Sequence, residues 1–435
     1  MASETTAIDR HSPRISVVGL GYVGLPLAVA LAKHYPVLGF DVDAARISEL
    51  RQGRDRTGEV NTAALAGSRV ILSSESADMA GSEVFIVTVP TPVDPANRPD
   101  LSALEAACAT IGRVLGRDAI VVVESTVYPG VTETVCGPIL EAESGLVSGR
   151  DFFLGYSPER INPGDPKHSV ERITKVVAGQ TPAVARRLEA LYGRMTSGGV
   201  FVARDIMTAE AAKVIENAQR DINIAFMNEV AVIFDRLGLS MHDVLEAAAT
   251  KWNFLGFTPG LVGGHCIGVD PYYLAHVAQE AGHDPQFVLA GRRINDAMGA
   301  ALADRIARRL ESAGHGNPAR ILVLGLTFKE NVPDLRNSKV VDMVRGLEAS
   351  GHSVAVHDPR ADPQEAQELY GIRLIPDLDG ASGFNALIGA VTHDAYRALG
   401  PDQFARLVVP GGLVADLKGM WRQVALPEAL TYWRL

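Results

Sequence analysis

The chain has 435 residues, 47% hydrophobic and 21% charged, with a formal net charge of −10 and a pI of about 5.6. That length exceeds one ordinary core and predicts two or three domains. The acidic balance speaks against nucleic acid as the main partner, and no apolar run approaches the length of a bilayer span. The cysteines Cys108, Cys136 and Cys266 are widely spaced and odd in number. This fits a reducing, cytoplasmic setting and neither a disulfide framework nor a zinc site, so no metal is expected.

Residues 1–13 are polar, mixed in charge and without an apolar signal core, and are expected to form a disordered leader. Ile15-Ser16-Val17-Val18 then reads as a buried strand feeding Gly19-Leu20-Gly21-Tyr22-Val23-Gly24, with a helix over 25–33 and a second strand over 36–40 ending at Asp41. Strand, Gly-x-Gly-x-x-Gly, helix, strand and acid in this order are expected to form a dinucleotide site, the alternative being a Gly-rich turn of some other α/β protein. The first glycine makes the tight turn, the second lets the backbone reach a pyrophosphate, and the third lets helix and strand pack closely. Asp41 accepts from the adenosine ribose in such a site and repels a 2′-phosphate, which favours NAD over NADP. Strand-like runs at 83–89, 119–123 and 200–202 continue the α/β spacing. Thr91, Ser125 and Thr126 fall at carboxyl ends of strands, where ligands sit in open parallel sheets, and are cofactor or water contacts or else simple strand-end caps. Glu159, in Tyr156-Ser157-Pro158-Glu159-Arg160, is a loop carboxylate of a kind that is commonly just solvated.

Residues 209–237 carry no Gly or Pro and set Ala212, Ile215, Ala218, Ile222, Ala225, Phe226 and Val230 at helical spacing. A helix of that length is expected to span domains and to offer a dimer face. Lys213, Asn217 and Asp221 follow one another at four-residue steps, a polar line that is either functional or an ordinary wet face. Gly238 ends this helix and Ser240 caps a shorter one through Ala249. Then come an aromatic-rich segment over 251–257 and Gly263-Gly264-His265-Cys266-Ile267-Gly268-Val269-Asp270. A thiol behind paired glycines, with a carboxylate four residues on, is either a nucleophile or a buried structural cysteine. A helix opens near Arg292. The last third repeats the βαβ plan without the glycine fingerprint: a strand at 320–326, a helix at 340–349 and a strand at 352–357 reaching Asp358. Lys329 and Arg336 at its first strand end are phosphate holders or surface charge.

Taken together, these residues resemble the UDP-glucose and GDP-mannose dehydrogenases. The resemblance rests on Gly19-Leu-Gly21-Tyr-Val-Gly24, Phe40-Asp41 with Arg46, Glu124-Ser125-Thr126 and Ser157-Pro158-Glu159. It continues through Ala209-Glu210-xx-Lys213-xxx-Asn217, Gly263-Gly264-His265-Cys266-xxx-Asp270 and Phe328-Lys329-x₆-Arg336, in order over most of the chain. Gly268-Val269 stands where glucose-type members carry Pro-Lys, so the chain looks like the branch that oxidises UDP-N-acetylhexosamines. The implied fold is α/β: two Rossmann-like doubly wound parallel-sheet domains joined by a long central helix and a small all-helical domain. The expected division is 14–205 for NAD, 206–312 for the central dimerisation domain with the thiol loop, and 313–435 for the UDP-sugar.

The resemblance implies a UDP-N-acetyl-D-glucosamine 6-dehydrogenase that takes the C6 alcohol to an acid in two NAD-dependent oxidations, for surface polysaccharide precursors. UDP-N-acetyl-D-galactosamine and UDP-glucose are the alternative substrates. A two-electron hydroxyacid dehydrogenase and a non-catalytic NAD-binding protein are remoter alternatives. The implied catalytic set is Cys266, Lys213, Asn217, Asp270, Glu159 and Thr126. Cofactor contacts fall to Gly19, Gly21, Tyr22, Val23, Gly24, Asp41, Arg46, Thr91, Ser125, Thr126 and Arg336. The sugar nucleotide would meet Glu159, Arg160, Lys213, Asn217, Gly263, Gly264, Arg292 and Lys329. A homodimer through the central helix is expected, with neither nucleic acid nor membrane as partner.

Overall fold

The structure, a computed structural model, describes residues 12–161, 169–264 and 267–435. Cys266 and nearly all of the expected leader lie outside the described residues. The chain divides into two compact units, 1–216 with 272–283 and 217–271 with 284–435.

In the first unit, short runs form β1 (Ile15–Val18), β2 (Val37–Phe40), β3 (Ile71–Ser73), β4 (Val84–Val87), β5 (Ile120–Val123), β6 (Phe153–Tyr156), β7 (Lys175–Gly179) and β8 (Val200–Val202). Of these, β1, β2, β4 and β5 are mainly apolar and buried throughout, while the edge strands β3 and β8 are partly exposed. Their order is β3-β2-β1-β4-β5-β6-β7-β8. β1 pairs in parallel with β2 on one side, Ile15 opposite Val37, and with β4 on the other, Ile15 opposite Val84. Strand order therefore reverses at β1/β4, the switch point where ligands collect in doubly wound sheets. Among the described strand pairings of this sheet, only β6–β7 is antiparallel. Leu25, Leu27, Leu31, Ile47 and Leu188 cover one face of the sheet, and Leu104, Ile111, Val131 and Leu140 the other.

The second unit contains a parallel sheet of β9 (Arg320–Leu324), β10 (Ser353–His357), β11 (Phe384–Gly389), β12 (Val408–Asp416) and β13 (Thr431–Arg434), ordered β10-β9-β11-β12-β13. Its switch point lies at β9/β11. The helix Val340–Ala349 packs on it through Val340, Val341, Met343, Val344 and Leu347.

The long helix runs Ile206–Leu237, about 48 Å at 1.5 Å per residue, and the unit boundary falls inside it. It ends at Gly238, whose φ of 71° is left-handed, and Ser240 then caps Met241–Ala248 by accepting from the Asp243 N–H. No helix among the described residues is long and apolar enough to cross a membrane.

Candidate active site

At the end of β1 the chain turns through Gly19, at φ +94°. A side chain on Gly24 would overlap the Gly19 carbonyl, so only glycine lets this helix start so close to the strand. Thr88, at the end of β4, locks the turn by donating to the Gly19 carbonyl at 2.7 Å. Gly21 differs: a methyl there would meet nothing within 4 Å. The helix Gly24–Leu31 carries no side-chain cap and no acid in its first turn. An uncapped helix N-terminus beside open space fits a pyrophosphate.

Asp41 closes the far side. Its carboxylate accepts from the Leu20 N–H at 2.8 Å and the Asp43 N–H at 2.9 Å, yet it stays half-buried with an edge toward solvent. Arg46, expected against the cofactor, is instead turned inward at 2% exposure. It donates twice to the Leu20 carbonyl and pairs with buried Asp55 at 2.7 Å, so it shapes the glycine loop from beneath.

The hydroxyls of Thr91 and Ser125 are likewise engaged with backbone. Thr91 donates to the Thr126 carbonyl at 2.6 Å and Ser125 to the Val89 carbonyl at 2.7 Å. Tyr273 donates to the Thr91 carbonyl at 2.6 Å. Thr91, Ser125 and Thr126 therefore tie the β4 and β5 ends together, and each hydroxyl keeps acceptor capacity for a ligand.

Glu159 is buried, not solvated. One oxygen accepts the Arg160 and Ile161 N–H groups at 2.6 and 2.8 Å, and the other faces Lys175 Nζ at 3.3 Å. Arg160 pairs with Glu216 at 2.8 Å.

On the long helix, Glu210 is fully buried and accepts from the Gly130 and Thr132 N–H groups at the start of the π-helical turn Thr132–Cys136. Burial raises its pKa. It anchors the first turn of the helix, and Lys213, 7% exposed, follows one turn along.

In the second unit, Asn217 Nδ2 donates to Asp270 Oδ2, joining two of the residues expected to be catalytic. Asp221 and Asn228 continue this face of the helix and are fully buried, so the polar line is no wet face. Arg292, expected on the substrate, is 2% exposed and donates to both Asp221 and Asp296 at 2.6 Å. Asn295 donates to Asp221 and accepts from Asn228. Asn228 in turn pairs with both backbone groups of Gly260, at 3.0 and 2.8 Å, and so holds the entry to the thiol loop.

The paired glycines have a steric cause in the same unit. A methyl on Gly263 would lie 2.7 Å from the Asn337 carbonyl oxygen, and one on Gly264 would lie 2.8 Å from the Phe328 ring. The thiol loop thus abuts the loop that carries Lys329. That loop is fixed by Asp358, which accepts from the Leu326 and Thr327 N–H groups, and by His393, whose Nδ1 accepts from the Asn331 N–H at 2.9 Å. Arg336 makes a two-point contact with Asp334, both at 2.9 Å.

Sequence reasoning missed Lys175, Tyr192, Asn228, Asn295 and His393. Lys175 opens an apolar run and reads there as a strand end. Asn228 alone carried a signal, lying at helical spacing, eleven residues on, from Asn217.

Comparison with known proteins covers all of this ground. Three profiles of the UDP-glucose/GDP-mannose dehydrogenase family match in order: the NAD binding domain over 13–196, the central domain over 207–297 and the UDP binding domain over 322–423. A UDP-N-acetyl-D-glucosamine 6-dehydrogenase of Pseudomonas aeruginosa is 50% identical over 407 residues, 93% of this chain and 96% of its own. Protein CapL of Staphylococcus aureus is 50% identical over 97% of this chain and 99% of its own. Among solved structures, a UDP-D-ManNAc dehydrogenase from Pyrococcus horikoshii superposes with a TM-score of 0.87 at 30% identity, covering 97% of this chain and 98% of its own.

Proposed function

The chain belongs to the UDP-glucose/GDP-mannose dehydrogenase family, and from that premise we propose that it is a UDP-N-acetyl-D-glucosamine 6-dehydrogenase. The observation that carries the sugar assignment is the 50% identity to the Pseudomonas enzyme of that name across nearly the whole of both chains. The domains are assigned as 14–205 for NAD, 206–312 for the thiol loop and dimer contact, and 313–435 for the UDP-sugar.

Gly21 and the helix N-terminus behind it hold the NAD pyrophosphate, and Asp41 holds the adenosine ribose. NAD, when bound, supplies the hydride acceptor for both oxidations. The chain's own residues supply the rest. Lys213 or Asp270, the latter through water, takes the C6 hydroxyl proton as the first hydride leaves. Cys266 adds to the aldehyde carbon, giving a thiohemiacetal whose remaining C–H is the second hydride. Lys213 and Asn217 stabilise the oxyanion at each tetrahedral stage, and the Asn217–Asp270 contact fixes the amide for that task. Water, oriented by Glu159, Thr126 or Asp270, then cleaves the thioester. Glu159, ringed by donors, suits the role of base. Lys329 holds the diphosphate side of the sugar nucleotide.

A homodimer through the long helix completes the assignment. Met207, Ile215, Phe226, Ile233 and Leu237 on that helix are 47–65% exposed, an apolar surface that a second copy would cover. The setting is cytoplasmic, and the product serves surface polysaccharide synthesis.

The test is turnover with UDP-N-acetylglucosamine, UDP-N-acetylgalactosamine and UDP-glucose, following NADH and product mass. Two NADH per UDP-N-acetylglucosamine and a carboxylate product are expected. One NADH per substrate, or faster oxidation of UDP-glucose, would refute the assignment. Light scattering tests the dimer, which a stable monomer at micromolar concentration would exclude.

A further inference from the structure

Beneath the strand ends of the first unit lies a charged cluster of which the steps above use Glu159 alone. Lys175, the first residue of β7, is completely buried. Its ammonium stands 2.9 Å from Glu124 and 3.3 Å from Glu159. Tyr192, also completely buried, donates to the other oxygen of Glu124 and presents its ring 5.1 Å from the same ammonium. Ion clusters of this kind are poor stabilisers, because desolvation offsets their attraction and apolar replacements are commonly neutral or better. Stability alone therefore does not account for it.

Its geometry converges on Glu159. An ionised carboxylate offers about four acceptor positions. For Glu159, two are taken by the Arg160 and Ile161 N–H groups and a third by Lys175. Three hydrogens thus converge on this carboxylate and fix its orientation. Among the described residues one position is left for water, and the other groups facing it are Glu124, from the end of β5, and Tyr192, from the helix Pro182–Met195. Arg160 is turned to Glu216 and the Thr174 carbonyl. Burial raises Glu124, whereas Lys175, lowered by burial, is raised overall by its two carboxylate neighbours and stays a cation.

We propose that Lys175 is a positioning residue for thioester hydrolysis, setting its charge beside Glu159 and aiming the carboxylate so that it takes the proton of the attacking water. In that step the water oxygen bonds to the thioester carbon as its proton passes to Glu159. The C–S bond then breaks, Cys266 leaves as thiolate, and the acid is released. The proposal rests on the assignment of Glu159 as base, and the experiment separates the two.

The readout is single-turnover hydrolysis of the acyl-enzyme, followed by intact mass and NADH across pH. The variants are Lys175→Met/Glu124→Gln, which removes one charge of each sign, Lys175→Arg and Glu159→Gln. In the double variant the first NADH should form within about threefold of the parent rate, the acyl adduct should accumulate, and the acid limb of hydrolysis should move at least one pH unit upward. Lys175→Arg should restore the parent limb. If the double variant fails to fold, Lys175→Gln replaces it, with the same upward shift expected. A parent-like limb in the neutral variant, alongside slow hydrolysis in Glu159→Gln, overturns the role of Lys175. Parent-like hydrolysis in Glu159→Gln overturns the base assignment itself.

Discussion

The switch points of the two sheets are built on one frame and used differently. Gly19 after β1 and Gly325 after β9 have φ of +94° and +99°. Their N–H groups donate to the last residues of β2 and β10, Phe40 and His357, both at 2.8 Å. The next residue in each neighbouring strand is an aspartate. Asp41 accepts from Leu20 and Asp43, and Asp358 accepts from Leu326 and Arg360, at matching offsets. The divergence is in what lies above. Asp41 keeps an exposed edge, and Gly21 leaves room beside it. Asp358 is 6% exposed, also binds the Thr327 and Ala361 N–H groups, and is closed over by His393 at 3.1 Å. One aspartate retains an acceptor edge for a ligand, while the other is consumed in holding its loop.

The largest expected effect separates binding at either frame from chemistry. Cys266→Ser should leave both NAD and sugar nucleotide bound while four-electron turnover falls on the order of a thousandfold or more, because serine is almost wholly protonated at neutral pH. Turnover near the parent rate would remove the thiol from the mechanism.

Asp358→Ala should then cost about 3–5 kcal/mol of folding stability, measured by urea unfolding, since it strips a buried cluster of its charge. Acid titration sharpens this. Burial raises the Asp358 pKa, but His393 and the backbone donors outweigh it, and the folded value lies below the usual 3.8. A depressed carboxylate stabilises above the unfolded pKa and loses that contribution as pH falls below it. Asp358→Asn should flatten the acid limb of the stability curve.

Asp41→Asn keeps an acceptor for the backbone and should weaken NAD binding by about 1.5–3 kcal/mol, with NADP discriminated less sharply. Calorimetric titration with both dinucleotides checks it. If the unaltered protein already takes NADP as well as NAD, the ribose assignment fails. Gly325→Ala, at a left-handed position whose methyl would overlap Val391, should cost about 1–3 kcal/mol of stability. Gly21→Ala should change stability by less than about 0.5 kcal/mol, yet weaken NAD about tenfold. Equal stability losses at the two glycines would erase the distinction between a packed frame and an open one. Smallest of all, Lys329→Ala should raise the KM for the sugar nucleotide by a factor of about five, near 1 kcal/mol, and leave that for NAD unchanged.

Periodicity made much of this legible. β1, β2, β9 and β10 are short apolar runs ending in Gly or Asp, and the long helix lacks breakers, so the elements and both βαβ units could be placed from the sequence. The antiparallel β6–β7 pair and the edge strands β3 and β13 could not, because a short run does not say which neighbour it pairs with or in which direction. The buried charges were illegible for a related reason. Lys175 meets Glu124 across 51 positions and Arg292 meets Asp221 across 71, distances at which no repeat operates. Arg46 and Arg292 were recognisable as motif residues, but a motif does not say whether a guanidinium faces a ligand or a neighbouring carboxylate.

The fit of Gly263 and Gly264 against Asn337 and Phe328 bears on how such enzymes can be recombined. A chimera that imports a relative's 313–435 segment with a different side chain at 328 inherits a mismatched wall against Gly263 and Gly264. Crossovers placed before 217 keep both surfaces from one parent and should give more active progeny than crossovers at 313. In a randomised library, 263, 264 and 328 are best varied as one block.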